Sequence, residues 1–109
     1  MFRKPVPEIE VKELERKLRS DEAFVLLDVR EPDELERARI SDRRVELAPM
    51  SQLGRAGAKA LPEAARDKQA EIYVMCHHGV RSAQVTGWLK AQGWEHVYSV
   101  RGGIDAYAS

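Results

Sequence analysis

One cysteine, Cys76, is all the thiol this 109-residue chain contains. An internal disulfide is therefore excluded, and so is an internal resolving thiol, so any sulfur chemistry begun at Cys76 must finish on another molecule. Neither sign of charge is in excess: lysine plus arginine and aspartate plus glutamate number 18 each. No global field draws the chain to nucleic acid or to an acidic membrane surface, so partners must be recognised by shape and local charge. No apolar run is long enough to span a bilayer, and the opening Met1-Phe2-Arg3-Lys4-Pro5-Val6-Pro7 lacks the apolar core of a signal peptide. The expectation is a cytoplasmic protein with no membrane or nucleic-acid partner. Separated pairs of metal ligands are also missing, and the adjacent residues Cys76, His77 and His78 do not suit one ion, so no metal and no cofactor is expected. No repeat, linker or low-complexity segment divides residues 1–109, which read as a single domain with chain for one ordinary core.

What is present alternates between strand and helix patterns. Glu8-Ile9-Glu10 reads as a short edge strand, and Val11, Leu14 and Leu18 form the apolar stripe of a helix that stops near Ser20-Asp21. Phe24 to Val29 is a continuous apolar strand broken only by Asp28, as expected for burial on both faces of a parallel sheet. A helix start follows at Glu31-Pro32-Asp33-Glu34-Leu35, where proline suits the first turn and the acids complement the helix dipole. Val45-Glu46-Leu47 is a short third strand. The signal then weakens: Ser51 is expected to cap a brief turn around Gln52-Leu53, and Lys59 to Ala65 to hold a helix with Pro62 in its first turn. Ile72 to Met75 is a buried strand, Ser82 to Ala91 a helix stopped by Gly93, and Val97 to Val100 the last strand before a short terminal helix through Ile104 and Tyr107. Strands separated by helices imply right-handed parallel crossovers, hence an α/β fold of three layers, α/β/α, with a mainly parallel central sheet of about five strands. Ligands in such folds gather at the carboxyl ends of the strands, the edge shared by Asp28, Cys76 and the loop after Val100.

The chemistry concentrates in Cys76-His77-His78-Gly79-Val80-Arg81-Ser82, which joins a strand end to a helix start. Unpaired backbone N–H groups and the positive end of the helix dipole favour an anion there, whether a thiolate, a persulfide or a bound oxyanion. Gly79 permits a backbone conformation closed to residues with a Cβ, and Arg81 adds a fixed positive charge with a planar fork of donors. An isolated cysteine at a strand end is ordinarily an inert core thiol. Two histidines, a glycine and an arginine directly behind it argue for a nucleophile instead. The side chains of His77 and His78 either line the mouth of the site or face solvent; their backbone serves the cradle in both cases.

These segments give the chain a resemblance to single-domain rhodaneses, members of the rhodanese-like sulfurtransferase superfamily. Leu27-Asp28-Val29-Arg30-Glu31-Pro32 is similar to a family hallmark, Cys76 to Ser82 to its active-site loop, and Tyr98-Ser99-Val100-Arg101-Gly102-Gly103 to its closing strand and double glycine. The resemblance implies a sulfurtransferase in which Cys76 becomes a persulfide. Its partners would be a small sulfur donor, thiosulfate or a persulfide, and a thiol, cyanide or protein acceptor. Arg81 would orient or neutralise the donor, with His77, His78, Gly79, Val80 and Ser82 completing the anion-binding loop. Asp28 and Arg30 either brace that loop or serve as an ordinary strand-end ion pair or helix cap. One stretch departs from the pattern: Ala38-Arg39-Ile40-Ser41-Asp42-Arg43 stands where Gly-His-Ile-Pro-Gly-Ala is usual. With Arg37 and Arg44 it is locally basic, either a solvated face or a docking patch for an acidic carrier. Tyr107 replaces a common tryptophan.

Two other functions share this fold. A phosphatase of the dual-specificity type resembles the chain in placing cysteine and arginine around an anion, but with five residues between them. Here four intervene, a ring better sized for sulfur than for phosphate. A non-catalytic rhodanese-like binding or regulatory module usually loses the cysteine that this chain retains.

Overall fold

The computed structural model describes residues 5–108. Met1-Phe2-Arg3-Lys4, part of the opening excluded as a signal peptide, and Ser109 lie outside them. Five strands, β1 (Glu8–Ile9), β2 (Val25–Asp28), β3 (Val45–Leu47), β4 (Ile72–Met75) and β5 (Val97–Val100), form one sheet in the order β1-β5-β4-β2-β3. Every pairing is parallel. Four α-helices, α1 (Val11–Leu18), α2 (Met50–Ala56), α3 (Val80–Ala91) and α4 (Gly103–Tyr107), cover it. Alternate residues of each central strand enter opposite cores, as the pleat requires. Val25, Leu27, Ile72, Val74 and Val97 pack with Leu53 of α2 and with Val85 and Leu89 of α3. Leu26, Tyr73, Met75 and Val100 pack with Leu14 of α1 and Ile104 of α4. The fold is the three-layer α/β/α arrangement, and the parallel register sets Asp28 beside Met75 so that β2 and β4 end on one edge.

Departures from the sequence expectations have local causes. The segment after β2 is a 3-10 turn, Pro32–Glu36, closed by a reciprocal capping box in which Glu31 and Glu34 each accept the other's backbone N–H. Met50–Ala56 is a full α-helix rather than a turn, and Ser51 is not its cap. The Glu31 carboxylate reaches across to satisfy the start of α2 instead, accepting the Ser51 N–H at 3.2 Å and its hydroxyl at 2.7 Å. The helix expected from Lys59 to Ala65 is two 3-10 turns, Gly57–Ala60 and Glu63–Ala65. Pro62 forces Leu61 into an extended conformation (φ −69°, ψ 139°), which no helix can pass through.

The unusual stretch 38–43 is built around an ion pair instead of glycine. Arg44 pairs with Asp42 at 2.8 Å, donates to the carbonyls of Lys17, Leu18, Ser20 and Glu22, and lies 4.4 Å from the Phe24 ring centre. Its side chain is only 8% exposed, so Arg44 belongs to neither a solvated face nor a docking patch. Arg37, Arg39 and Arg43 remain exposed.

Candidate active site

Strand β4 delivers Cys76 to the edge of the sheet, and α3 begins four residues later, at Val80, two residues before the expected start. The earlier start comes from Gly79, whose φ of 101° caps the helix in a conformation that L side chains avoid. The turn folds back on the sulfur. Sγ of Cys76 accepts the N–H of Gly79 at 3.0 Å and that of Ser82 at 3.3 Å, with the Ser82 hydroxyl at 3.5 Å. Two N–H donors at a helix start thus converge on one sulfur atom. Cys76 is 1% exposed, so water is largely kept from it. Val80, by contrast, is 62% exposed at the loop's outer surface.

Behind the sulfur lies a buried pair of hydroxyls. Ser82 Oγ donates to the Gly79 carbonyl at 3.1 Å and stands 2.8 Å from Ser99 Oγ on β5. A hydroxyl has one proton to give, so with Ser82 committed to Gly79, Ser99 is the donor between the two. Ser99 is a site residue that the sequence reading did not single out. Its signal was present: a serine inside the buried strand Val97-Tyr98-Ser99-Val100 needs a partner.

The closing glycines hold the loop from its other side. The N–H of Ile104 reaches the Cys76 carbonyl at 2.8 Å, and that of Asp105 reaches the His77 carbonyl at 3.1 Å. A Cβ on Gly103 would lie 2.4 Å from the Cys76 carbonyl oxygen, and one on Gly79 would lie 3.0 Å from the Gly102 nitrogen. The double glycine is therefore required by the close approach of two backbones, as well as by its φ values of 78° and 63°.

Around this cradle the charges are paired. Both terminal nitrogens of the Arg81 guanidinium donate to Glu34, each at 2.7 Å. The Arg81 hydrogen bonds hold the Glu34 carboxyl down at about 2, well below its ordinary value. Hydrogen bonding to Glu34 in turn raises the Arg81 pKa, with a smaller contribution from charge on Cys76. Glu34 was expected only as a helix-start acid; its partner lies 47 residues along the chain. Asp28 and Arg30 form a buried ion pair with two-pronged contacts at 3.0 and 2.8 Å. They make no hydrogen bond to residues 76–82 among the described contacts. Arg30 also donates to the carbonyls of Ala38 at 2.7 Å and Glu34 at 3.4 Å, so the pair braces the segment that presents Glu34 to Arg81.

The imidazoles of His77 and His78 are exposed and stacked, with ring centres 3.9 Å apart. His78 Nδ1 lies 3.7 Å from Asp105 Oδ2. His77 lines a cavity of about 470 Å³ together with Arg30, Asp33, Glu34, Glu36, Arg37, Ala38 and Ile104. Among the described residues no cluster of three or more His, Cys, Asp or Glu could hold a metal ion, and no helix is long and apolar enough to cross a membrane.

Comparison with known proteins agrees with this fold. The family described as "Rhodanese-like domain" matches residues 10–109. A rhodanese-like/PpiC domain-containing chloroplastic protein of Arabidopsis thaliana is 39% identical over 97% of this chain, which spans only 35% of that protein's length. A protein of Allochromatium vinosum named "Sulfurtransferase" is 32% identical, the match covering 94% of this chain and 89% of the relative. The crystal structure of a rhodanese-related protein from Thermoplasma volcanium superposes with a TM-score of 0.74 at 30% identity, covering 94% of this chain and 90% of the other.

Proposed function

The chain belongs to the rhodanese-like family of sulfurtransferases, and from that premise we propose that it carries sulfane sulfur on Cys76, from a small donor such as thiosulfate to a thiol, to cyanide or to a protein acceptor. In the first half-reaction the Cys76 thiolate attacks the outer sulfur of the donor. An S–S bond forms to Cys76, the donor's own S–S bond breaks, and sulfite leaves with the electron pair. In the second, the acceptor's nucleophile attacks the terminal sulfur of the persulfide and the Cys76 thiolate is regenerated. Charge balances in both steps, and no oxidant is needed. This is covalent catalysis in two displacements.

The observation that carries the reading is the convergence of the Gly79 and Ser82 N–H groups on one buried sulfur at 3.0 and 3.3 Å. Such donors stabilise the sulfur anion that begins and ends each half-reaction. Arg81 places its charge on the same loop, within electrostatic reach of Cys76. His77, His78 and Val80 carry the exposed side chains of the loop, on the side open to an incoming donor. Burial then shields the persulfide from water between the two displacements.

Turnover of thiosulfate and cyanide to sulfite and thiocyanate tests the proposal, with Cys76→Ser as the inactive comparison. Absence of turnover with thiosulfate and with organic sulfur donors alike would point to a binding module. Hydrolysis of an aryl phosphate faster than sulfur transfer would point to the phosphatase.

A further inference from the structure

Arg81 is the only lysine or arginine in the loop 76–82, and its charge is already answered. Both terminal nitrogens of its fork are engaged by Glu34 at 2.7 Å, in a pair only partly open to solvent, at 32% and 27% side-chain exposure. Beside it, the cavity that His77 shares is lined by Asp33, Glu34, Glu36, Arg30 and Arg37. Arg30 is neutralised by Asp28 and Arg81 by Glu34, which among the described residues leaves Arg37 against Asp33 and Glu36. An incoming dianion meets a loop with no uncompensated guanidinium and a neighbouring wall with more carboxylates than free cations. A monoanion is repelled less by the same field.

We propose that Glu34 is a specificity-determining residue: by holding both arms of the Arg81 fork, it disfavours dianionic sulfur donors and directs the site toward monoanionic organic ones. This rests on the sulfurtransferase reading and goes beyond it by naming the donor class and the residue that selects it. Glu34 is suited to the role because the Arg30 contacts and the capping box with Glu31 fix its position independently of Arg81. The chemistry is the same for both donor classes. The thiolate takes the outer sulfur of thiosulfate with loss of sulfite, or that of methanethiosulfonate, CH3SO2S−, with loss of methanesulfinate. The two probes thus differ in charge at the group facing the loop, and any difference in leaving-group ability cancels when variants are compared.

The test measures kcat/KM for thiosulfate and for methanethiosulfonate, with cyanide as acceptor, in wild type, Glu34→Gln, Asp33→Asn and Glu36→Gln. Glutamine keeps an oxygen to accept the Glu31 N–H, so the turn is retained. The ratio of thiosulfate to methanethiosulfonate should rise about tenfold in Glu34→Gln, against less than about threefold in either neighbour, because only Glu34 occupies the guanidinium. Wild type supplies an arm that needs no variant. Added salt should raise the ratio, since screening relieves repulsion of the more highly charged donor, and in Glu34→Gln it should lower it. A Glu34→Gln ratio within about twofold of wild type, an equal response in the neighbouring variants, or a wild-type ratio that falls with salt would overturn the inference. If neither probe transfers sulfur to wild-type Cys76, it is the underlying sulfurtransferase reading that fails.

Discussion

Adding one methyl group at Gly103 should dismantle the clamp that holds the active-site loop. The new Cβ would lie 2.4 Å from the Cys76 carbonyl oxygen and 2.5 Å from that of His77, whereas ordinary contact begins at 3.4 Å, so α4 and the loop must separate by about 1 Å. The same two carbonyls accept the Ile104 and Asp105 N–H groups at 2.8 and 3.1 Å, and a separation of that size breaks both bonds. Overpacking costs about 1–3 kcal/mol, an L residue at φ 63° about 1–2 kcal/mol more, and each lost hydrogen bond about 1 kcal/mol. A total of about 4 kcal/mol or more should lower the Tm of a domain of this size by at least about 15 °C. Gly54→Ala is the matched control. Gly54 sits inside α2, with nothing within 4 Å of its Cβ direction, so alanine there should stabilise by about 0.5–1 kcal/mol. Thermal and denaturant unfolding read both, and sulfur transfer by folded Gly103→Ala reads displacement of the loop. A Gly103→Ala protein that melts within about 3 °C of wild type would refute the reasoning, since no close approach would then need glycine.

Other outcomes follow from the buried polar groups. Among the described residues Thr86 Oγ1, buried on α3, has no hydrogen-bond partner, so Thr86→Val should raise stability by about 1 kcal/mol in urea unfolding; a loss would mean that the hydroxyl is satisfied. Ser82→Ala and Ser99→Ala each orphan one member of a buried pair and should cost about 1–3 kcal/mol singly, while the double variant should cost less than their sum. Glu34 has a folded-state pKa of about 2 against an ordinary 4.5, so its ion pair contributes stability in full above pH 4.5 and loses it as pH falls toward 2. The stability difference between wild type and Glu34→Gln should therefore shrink across that window in acid-titrated urea unfolding; a constant difference would contradict the pairing.

What could be read from the chain was what it states locally. The strands β2 and β4 are legible because continuous apolar residues declare burial on both faces, and the cradle because Cys76 to Ser82 carries its nucleophile, donors and cap within seven consecutive residues. Helix α2 was missed because Met50 to Ala56 contains a glycine and no capping side chain of its own; its cap, Glu31, lies 20 residues away. The partners of the loop were hidden for the same reason. Glu34 and Ser99 lie 47 and 17 residues from Arg81 and Ser82, and only the parallel crossovers bring them together. At Ala38 to Arg43 the loss of the usual glycines was visible, but not the Asp42–Arg44 pair that replaces their turn. That pair converts one arginine of an apparently basic face into a buried strut.

The intact mass of the protein after exposure to a sulfur donor bears most directly on the account. Because Cys76 is the sole thiol, incubation with thiosulfate or methanethiosulfonate followed by removal of the small molecules should leave one added sulfur atom per chain. Cyanide or a small thiol should remove it, and Cys76→Ser should gain nothing. A wild-type mass that stays unchanged with every donor tried, in protein shown to be folded, would contradict the assignment of Cys76 as the sulfur carrier.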